Sequence, residues 1–437
     1  MNFEYTPVRG LRPHPNNART HSTKQIRQIA KSIGQFGFCN PVLVDDAKQI
    51  IAGHGRVEAA KLLGIDAVPT CRLSHLSETD KRAYVLADNK LAEKAGWDRE
   101  LLAIELQGLI ELDVDIELTG FEMAEIDLIL EEAREASGEP SAPEDTVPEP
   151  SPGPAVSQTG DLWLLGSHRL LCGDARDKAA YDRLLDGAKA EFVFTDPPYN
   201  VAIDGHVCGL GRVRHRDFAM GCGEMSEAEF TAFLKDVFAL LAENTVDGSI
   251  HQICMDWRHM GEMLGAGWEV YSEFKNLCIW NKTNAGMGSF YRSKHELVFV
   301  WKSGTAAHTN NFELGQHGRY RSNVWDYAGV NTMRAGRLEE LAMHPTVKPV
   351  ALVADAIKDC SRHGGLVLDP FCGSGTILIA AERIGRKACA LEIDPHYVDV
   401  AVRRWQTYTG KQAVLAGSGE TFEANADRRV APSDYGE

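Results

Sequence analysis

The segment Asp196-Pro197-Pro198-Tyr199 places a carboxylate, a stiff turn and an aromatic ring directly after an apolar run. That run, from Ala190 to Thr195, is rich in β-branched and aromatic residues and predicts a buried strand. Two successive prolines end strand pairing and disfavour a helix, so the Asp196 carboxylate and the Pro197 carbonyl should lie at the strand's carboxyl end. Two acceptors beside an aromatic face suit a planar group that carries an amine, such as a nucleobase.

A second candidate site lies far downstream. Residues 366–369 predict a strand that leads into Pro370-Phe371-Cys372-Gly373-Ser374-Gly375-Thr376 and then into an apolar helix over 377–384. A glycine turn before a helix lets backbone N–H groups approach a ligand closely. The next strand, 387–391, ends at Glu392, where a carboxylate can accept hydrogen bonds from two ribose hydroxyls. A Gly-x-Gly pair alone is unspecific, but this order of elements predicts a nucleoside site.

Residues 160–410 resemble an amino-group DNA methyltransferase that uses S-adenosyl-L-methionine. The resemblance rests on three specific motifs and a weaker fourth, namely Thr195-Asp196-Pro197-Pro198-Tyr199-Asn200, Asp369-Pro370-Phe371-Cys372-Gly373-Ser374-Gly375-Thr376, His344-Pro345-Thr346-Val347-Lys348-Pro349 and Cys172-Gly173-Asp174. The catalytic motif precedes the cofactor motif, as in the permuted group called the β class. The resemblance implies an α/β, Rossmann-like fold over 159–411, with target recognition at about 201–340.

The resemblance also implies roles for individual residues. Asp196, Pro197, Pro198 and Tyr199 would be catalytic. The residues that would hold S-adenosyl-L-methionine are Asp174, Thr346, Lys348, Asp369, Pro370, Phe371, Gly373, Ser374, Gly375, Thr376 and Glu392. Asp rather than Ser at position 196 favours adenine N6 as the acceptor. Cytosine N4 methylation, methylation of RNA or protein, and a ParB-like binding protein with a degenerate methyltransferase domain are the alternatives.

A glycine- and arginine-rich stretch over 205–223 follows the catalytic motif. Its arginines, Arg212, Arg214 and Arg216, suit contacts with the phosphates of double-stranded DNA, although a solvated loop would show the same composition. The histidines and cysteines of this stretch fit no standard zinc spacing, so we predict no metal. Residues 302–343 are rich in Asn, Gly, His and Arg and are our candidates for contacts with bases.

The first 76 residues resemble the ParB-like fold, a small α+β domain shared by partition proteins and sulfiredoxin. The turn Gly53-His54-Gly55-Arg56 corresponds to the family's nucleotide-binding position. Partition proteins usually have Gly-Glu-Arg-Arg there, which puts hydrolysis of cytidine triphosphate in doubt. A glycine turn before a helix with no ligand is the alternative. Family members are often labelled nucleases, but this segment has no carboxylate cluster for a catalytic metal.

Residues 77–136 have a helical pattern with glycine breaks. We prefer a small bundle attached to the ParB-like domain over a helix-turn-helix, because acidic residues dominate from Glu100 onward. Residues 137–158 contain six prolines, which predicts an extended linker between two domains. The end of the chain, 412–437, is predicted to be a polar tail without a role.

The composition is that of an ordinary globular protein, with 44% hydrophobic and 25% charged residues in a chain of 437. The sequence shows no membrane span and no signal peptide pattern, so we expect a cytoplasmic protein. Its net charge of −16 disfavours a protein that coats DNA non-specifically but allows a local basic groove. The ten cysteines form no C-x-x-C pair, which predicts reduced thiols. A homodimer is left open.

Overall fold

The computed structural model describes residues 3–112, 114–137, 144–151, 153–200, 223–283, 290–312, 315, 320–328 and 347–430. The chain divides into an N-terminal unit, Met1–Gly138, and a C-terminal unit, Glu139–Glu437. This division falls at the start of the predicted linker. None of the described helices is both long and apolar enough to cross a membrane.

The N-terminal unit is built on a four-stranded sheet in the order β1-β4-β2-β3. Its strands are β1 (Phe3–Pro7), β2 (Val42–Val44), β3 (Ile50–Ala52) and β4 (Ala67–Arg72). Two helices, α1 (Thr23–Phe36) and α2 (His54–Leu62), pack against each other through Ala30, Ile33 and Ala59. Ser22 caps the start of α1, where its hydroxyl accepts from the Gln25 N–H.

Three further helices follow in the same unit: α3 (Glu78–Ala92), α4 (Arg99–Glu111) and α5 (Met123–Ser137). A short 3-10 helix, Ile116–Thr119, connects α4 with α5. Leu106, Ile116 and Ile126 form a small buried core between these elements. Gly96 and Gly120 lie between helices, as expected for residues that disfavour a helix interior, whereas Gly108 lies within α4.

The C-terminal unit is organised around a ten-stranded sheet in the order β11-β9-β10-β8-β7-β12-β13-β6-β5-β14. Its central strands β8, β7, β12, β13 and β6 are parallel, and β10 and β5 are antiparallel to their neighbours. The strands are β5 (Leu162–Leu165), β6 (His168–Cys172), β7 (Ala190–Thr195), β8 (Thr245–Met255), β9 (Glu273–Asn281), β10 (His295–Lys302), β11 (Val324–Asp326), β12 (Leu366–Asp369), β13 (Lys387–Glu392) and β14 (Val414–Leu415).

Helices cover both faces of this sheet, because its central strands are apolar on both sides. One face is packed by α6 (Lys178–Leu185), α7 (Glu227–Glu243) and α8 (Met260–Val270). The other is packed by α9 (Val350–Cys360), α10 (Thr376–Arg383) and α11 (Pro395–Thr409). This is the doubly wound α/β arrangement that the Rossmann-like prediction required. Much of the range predicted for target recognition, 201–340, is therefore sheet and helix of the core.

The second half of the predicted linker is not an extended tether. Residues 144–151 and 153–157, which we call the strap, pack along the C-terminal unit, with Val147 and Val156 buried. The Asp399 carboxylate accepts hydrogen bonds from the backbone N–H groups of Val156 and Ser157. The prolines prevented regular structure but not docking, since an irregular segment can satisfy its backbone through side chains of the domain it covers.

The predicted polar tail is also corrected. Leu415 lies on β14, which pairs with β5, and a last helix, α12 (Phe422–Val430), follows it. Phe422 is only 2% exposed and its ring packs on Trp163, with the two centroids 5.2 Å apart. A few apolar residues in a polar segment are enough to dock it when the sheet offers an unpaired edge.

Candidate active site

The candidate functional residues of the C-terminal unit converge on the carboxyl edge of the parallel strands. The chain continues from β7 outward to β8 and from β12 in the opposite direction to β13, so the order of strands reverses between β7 and β12. Ligands of open α/β sheets bind outside such a switch point. Asp196 follows β7, Asp369 ends β12 and Glu392 ends β13, which brings the two predicted sites to one edge.

The turn after β7 holds Asp196 between two donors. The Tyr199 hydroxyl donates to its Oδ1 over 2.6 Å, and the Lys348 ammonium donates to its Oδ2 over 2.5 Å. Asn200 anchors the end of the turn in a left-handed conformation (φ 51°), with its side-chain amide bonded to the backbone of Met225. The carboxylate therefore has a fixed orientation before any ligand arrives.

Asp196 is the last member of a partly buried series of four alternating charges, which we call the charge chain: Lys282, Glu296, Lys348 and Asp196. Lys348 is 5% exposed at its side chain and also contacts Glu296 Oε2 over 2.9 Å. Lys282 forms an ion pair with the other oxygen of Glu296. The two cations and two anions sum to zero, which is the condition under which charges are tolerated in a poorly solvated pocket.

The pKa values of the two carboxylates move in opposite directions. Burial alone would raise the pKa of Glu296, but Lys348 and Lys282 outweigh it and lower that pKa to about 2. Burial and the negative charge of Glu296 raise the pKa of Asp196, while Lys348 and the Tyr199 hydroxyl oppose the rise. Glu296 is thus the permanent anion of the pair, and Asp196 is the carboxylate whose charge depends on its surroundings.

The glycine turn after β12 begins with a carboxylate that serves the fold. Asp369 Oδ1 accepts from the Thr195 hydroxyl over 2.7 Å and from the Phe371 N–H over 3.0 Å. It therefore joins the end of β7 to the start of the turn. Burial raises the pKa of Asp369 to about 7.

The turn itself needs its glycines. Gly373 (φ 51°) and Gly375 (φ 84°) are in the left-handed region, which glycine adopts at least cost. A Cβ on Gly375 would lie 2.9 Å from the Cβ of Ala401, whereas one on Gly373 would meet no atom within 4 Å. Open space therefore faces the turn at Gly373, and α10 begins directly after Gly375 at Thr376.

Glu392 stands beside that open space. Its Oε2 accepts from the Gly373 N–H over 2.8 Å and its Oε1 from the Asp394 N–H over 2.9 Å. Burial raises its pKa to about 7. A fixed carboxylate can accept hydrogen bonds from ribose hydroxyls, and the open glycine turn lets a nucleoside approach the backbone. The residues present are therefore compatible with S-adenosyl-L-methionine.

A buried guanidinium supports the turn from behind. Arg404 donates to the Ser374 carbonyl over 3.2 Å and to the Thr376 hydroxyl over 3.0 Å. Its other terminal nitrogen donates to the Glu144 carbonyl of the strap over 2.9 Å. Ser374 and Thr376, which were predicted to hold cofactor, are thus bonded within the fold, and the strap reaches the turn through one side chain.

Several other predicted residues are placed differently or lie outside the described residues. Asp174 follows β6 at the same edge, but it is half-exposed and paired with Arg176 over 3.0 Å. Lys348 was predicted to hold cofactor, and its ammonium lies in the charge chain. Arg212, Arg214, Arg216 and Thr346 lie outside the described residues.

Residue types alone did not single out Glu296, Lys282 or Arg404. The segments Trp280-Asn281-Lys282 and Tyr291 to Glu296 resemble middle motifs of the DNA methyltransferase family, and that resemblance was the one signal for the first two. Arg404 lies in an amphipathic helix and gives no signal. No group of acidic, histidine or cysteine side chains that could hold a metal occurs among the described residues.

In the N-terminal unit, the predicted nucleotide turn is engaged within the fold. Gly53 is left-handed (φ 99°) and precedes α2. The Arg56 guanidinium donates to the Asn40 carbonyl over 3.1 Å, and His54 Nε2 accepts from the His14 N–H over 3.2 Å. A Cβ on Gly55 would lie 3.1 Å from the His21 ring. Packing accounts for these residues, and nucleotide binding stays a prediction.

Comparison with known families adds the decisive observation for the C-terminal unit. Residues 190–403 match the family model described as DNA methylase, of the N6/N4 type. The C-terminal unit of this chain belongs to the N6/N4 DNA methylases. The methylase also matches the ParB N-terminal domain over residues 2–90, so both resemblances seen in the sequence are confirmed. S-adenosyl-L-methionine is the methyl donor that this membership implies.

Individual relatives cover different parts of the methylase. The ParB-like nuclease domain-containing protein YnaK of Escherichia coli K12 is 53% identical over 82 residues, which are 19% of this chain and 94% of that protein. The type II methyltransferase M.HpaI of Haemophilus parainfluenzae is 24% identical over 256 residues, which are 54% and 73% of the two chains. The solved PvuII cytosine-N4-specific DNA methyltransferase shares 15% identity over 64% of this chain and 95% of its own, with a TM-score of 0.42.

A third family model corrects our preference for a small bundle over a helix-turn-helix in residues 77–136. Residues 100–159 match a helix-turn-helix domain described for ParB-methyltransferases. The match spans α4, α5 and the strap. It supports the helix-turn-helix that the acidic composition led us to disfavour, since net acidity of a segment does not fix the charge of the single face that would contact DNA.

Proposed function

We propose that the methylase transfers a methyl group from S-adenosyl-L-methionine to the N6 amine of adenine in double-stranded DNA. The observation that carries this proposal is the oriented Asp196 carboxylate at the switch point, beside the glycine turn and Glu392. Asp rather than Ser at position 196 supports adenine over cytosine N4. The two motifs meet at one edge, where Asp196, Asp369 and Glu392 each accept hydrogen bonds within the fold, which argues against a degenerate domain.

The base amine is a poor nucleophile because its lone pair is delocalised into the ring. Asp196 and the Pro197 carbonyl would accept its two N–H bonds and favour a tetrahedral nitrogen. Tyr199 would stack on the extruded base, while its hydroxyl keeps Asp196 in place. Fixing both partners before reaction is the main contribution of these residues to the rate.

The cofactor would occupy the space in front of Gly373. The Phe371, Gly373 and Gly375 backbone and the Glu392 carboxylate would hold its nucleoside, with Asp174 at the adjacent strand end. Bound S-adenosyl-L-methionine supplies an electrophilic methyl group on a sulfonium. Asp369, Ser374 and Thr376 would act through the shape of the turn, because their side chains are bonded to Thr195, Phe371 and Arg404.

The proposal extends to partners. Double-stranded DNA is the expected substrate, with Arg212, Arg214 and Arg216 contacting its phosphates and the helix-turn-helix adding a second contact. We also propose that the turn from Gly53 to Arg56 binds a nucleotide, that the methylase forms a homodimer and that it is located in the cytoplasm.

Nucleoside mass spectrometry tests the base directly. The purified methylase is incubated with unmethylated bacteriophage DNA and deuterated S-adenosyl-L-methionine, and the DNA is hydrolysed to nucleosides. We expect labelled N6-methyldeoxyadenosine, and long-read sequencing of the same DNA gives the recognised site. Labelled N4-methyldeoxycytidine instead would show that the target is cytosine N4. If neither labelled nucleoside is formed, the proposal is overturned. The Asp196→Ala variant is the control for contaminating activity.

A further inference from the structure

Within the charge chain, the Lys348 ammonium competes with the base amine for the Asp196 carboxylate. Both Asp196 oxygens accept hydrogen bonds in this structure, one from the Tyr199 hydroxyl and one from the Lys348 ammonium. The proposed function needs the same carboxylate to accept an N–H from the base amine. An ammonium held by a single carboxylate in a poorly solvated pocket would not leave it easily, because an unpaired buried charge is costly.

The structure supplies a second anion for that ammonium. Lys348 lies 2.5 Å from Asp196 Oδ2 and 2.9 Å from Glu296 Oε2, so it already contacts both carboxylates. A small movement of its flexible stem exchanges one partner for the other without leaving the charge unpaired. Lys282 pairs with the remaining oxygen of Glu296 and keeps that residue an anion.

We propose that Glu296 is a positioning residue that receives the Lys348 ammonium when the base amine takes its place on Asp196. Lys282 sets how strongly Glu296 attracts Lys348. Glu296 touches neither substrate in this scheme, and it acts through Lys348 alone. This inference rests on the proposed function, since it needs a base amine at Asp196.

Replacing Glu296 or Lys282 should move the pH dependence of the reaction, in opposite directions. In Glu296→Gln, Asp196 is the carboxylate that remains to pair with Lys348. Lys348 therefore stabilises the ionised form of Asp196 more strongly than in the wild type. In Lys282→Gln, Glu296 is less neutralised, draws Lys348 from Asp196 and leaves that carboxylate easier to protonate. The other described groups close to Asp196 are unchanged in both variants, namely Tyr199, Cys254 and Asp369.

The experiment measures kcat against pH, from 5 to 9, with unmethylated bacteriophage DNA and tritiated S-adenosyl-L-methionine. Loss of rate on the acid side should report protonation of Asp196. We expect this acid limb to move to lower pH in Glu296→Gln, with kcat at pH 8 reduced about tenfold or more. In Lys282→Gln the acid limb should move to higher pH, by on the order of one unit.

A matched control is Glu382→Gln. Glu382 is a partly buried carboxylate bonded to His168 and Lys411 near the end of α10, away from the catalytic edge. Its pKa is also held at about 2, so it tests loss of a similarly paired carboxylate. The acid limb should stay in place in this variant. Cofactor titration and circular dichroism confirm that each variant is folded.

The outcomes are distinct. Acid limbs that move in opposite directions support the inference, whereas limbs that stay in place or move the same way overturn it. If Glu296→Gln does not fold, the Lys282→Gln variant decides alone. The side chain of Lys282 is partly exposed, so replacing it disturbs the core less than replacing Glu296. An inactive wild-type protein would instead contradict the proposed function.

Discussion

At the scale of single residues, the structure changes the expected part of Asp196. A carboxylate that acts only by accepting hydrogen bonds as an anion needs no unusual pKa. The structure places it beside a second buried carboxylate, which raises its pKa, and beside Lys348, which opposes the rise. Its ionisation therefore depends on partners that are 100 and 152 positions away in the sequence. Such partners bear on chemistry only once the fold brings them together.

Asp196→Ala should abolish methyl transfer and leave cofactor binding nearly intact. In the proposed mechanism the side chain faces the base and Lys348, whereas Gly373 and Glu392 belong to the proposed cofactor site. We expect kcat to fall by at least about 100-fold, as for removal of a group that stabilises a transition state. Single-turnover assays and calorimetric titration with S-adenosyl-L-methionine separate the two effects. Turnover close to wild type would contradict the role assigned to Asp196.

Glu392→Ala should do the reverse and weaken cofactor binding. A charged acceptor that pairs with two ribose hydroxyls contributes about 1–3 kcal/mol, so affinity should fall by about 5- to 150-fold. Glu191→Ala is the control, since Glu191 lies on β7 and pairs with Arg362 at the surface. Equal affinity for wild type and Glu392→Ala in calorimetry would show that another acid, with Asp394 the nearest, binds the ribose.

At the scale of elements, the sequence patterns predicted the three strands that carry the candidate site. The strands before Asp196, Asp369 and Glu392 are apolar runs bounded by turn residues, and all three lie where predicted. The edge elements β14 and α12 were missed because pairing with β5, and not their own propensity, stabilises them. Local patterns specify buried strands well, whereas docking of short polar segments depends on a surface that exists only after folding.

The ends of β12 and β13 give a prediction for stability. Burial raises the pKa of Asp369 and of Glu392 to about 7, so both groups favour the protonated form in the folded protein. Their contribution to stability is fully present below their unfolded pKa values of about 4 and is lost as the pH rises through 7. Glu296 and Glu382, with pKa values near 2, lose their contributions only at pH values below about 4.5.

We therefore expect the Tm of the C-terminal unit without cofactor to fall by about 3 °C or more between pH 5.5 and pH 8. Differential scanning calorimetry of the full chain measures this, with its larger transition assigned to the larger unit. In Glu392→Gln the fall should be smaller, because one of the two titrating groups is gone. A Tm that rises over this range in the wild type would contradict the burial of these carboxylates.

At the scale of the whole molecule, the strap changes where the methyltransferase begins. The sequence predicted a start near residue 159, after the last proline of the linker. Asp145 accepts from the Val350 N–H over 2.9 Å, two residues after Lys348, and Glu144 pairs with Arg383 over 2.7 Å. Together with the bond from Arg404 to the Glu144 carbonyl, these contacts tie the strap to both halves of the site.

Two fragments of the methylase, 144–437 and 155–437, should therefore differ. The shorter one keeps the contacts of Asp399 with Val156 and Ser157 but leaves the Arg404 guanidinium without its partner in the strap. An unsatisfied buried donor costs about 1–3 kcal/mol, so we expect a lower Tm and cofactor binding weaker by about 5-fold or more in 155–437. Calorimetric titration and thermal unfolding of both fragments measure these differences. Equal values would show that the strap is a passive cover.

Fragment 144–437 also tests whether the N-terminal unit chooses the base. All the residues that meet at the catalytic edge belong to the C-terminal unit, so this fragment should methylate the same base in the same sequence as the full chain. The ParB domain and α4–α5 would then act by raising the local concentration of DNA, and their loss should raise the KM for DNA while kcat is retained. Modified-base mapping at matched activity compares the two proteins. A fragment that is folded and binds cofactor, yet methylates no DNA or a different sequence, would mean that the two units complete one site, because recognition would then need residues from both.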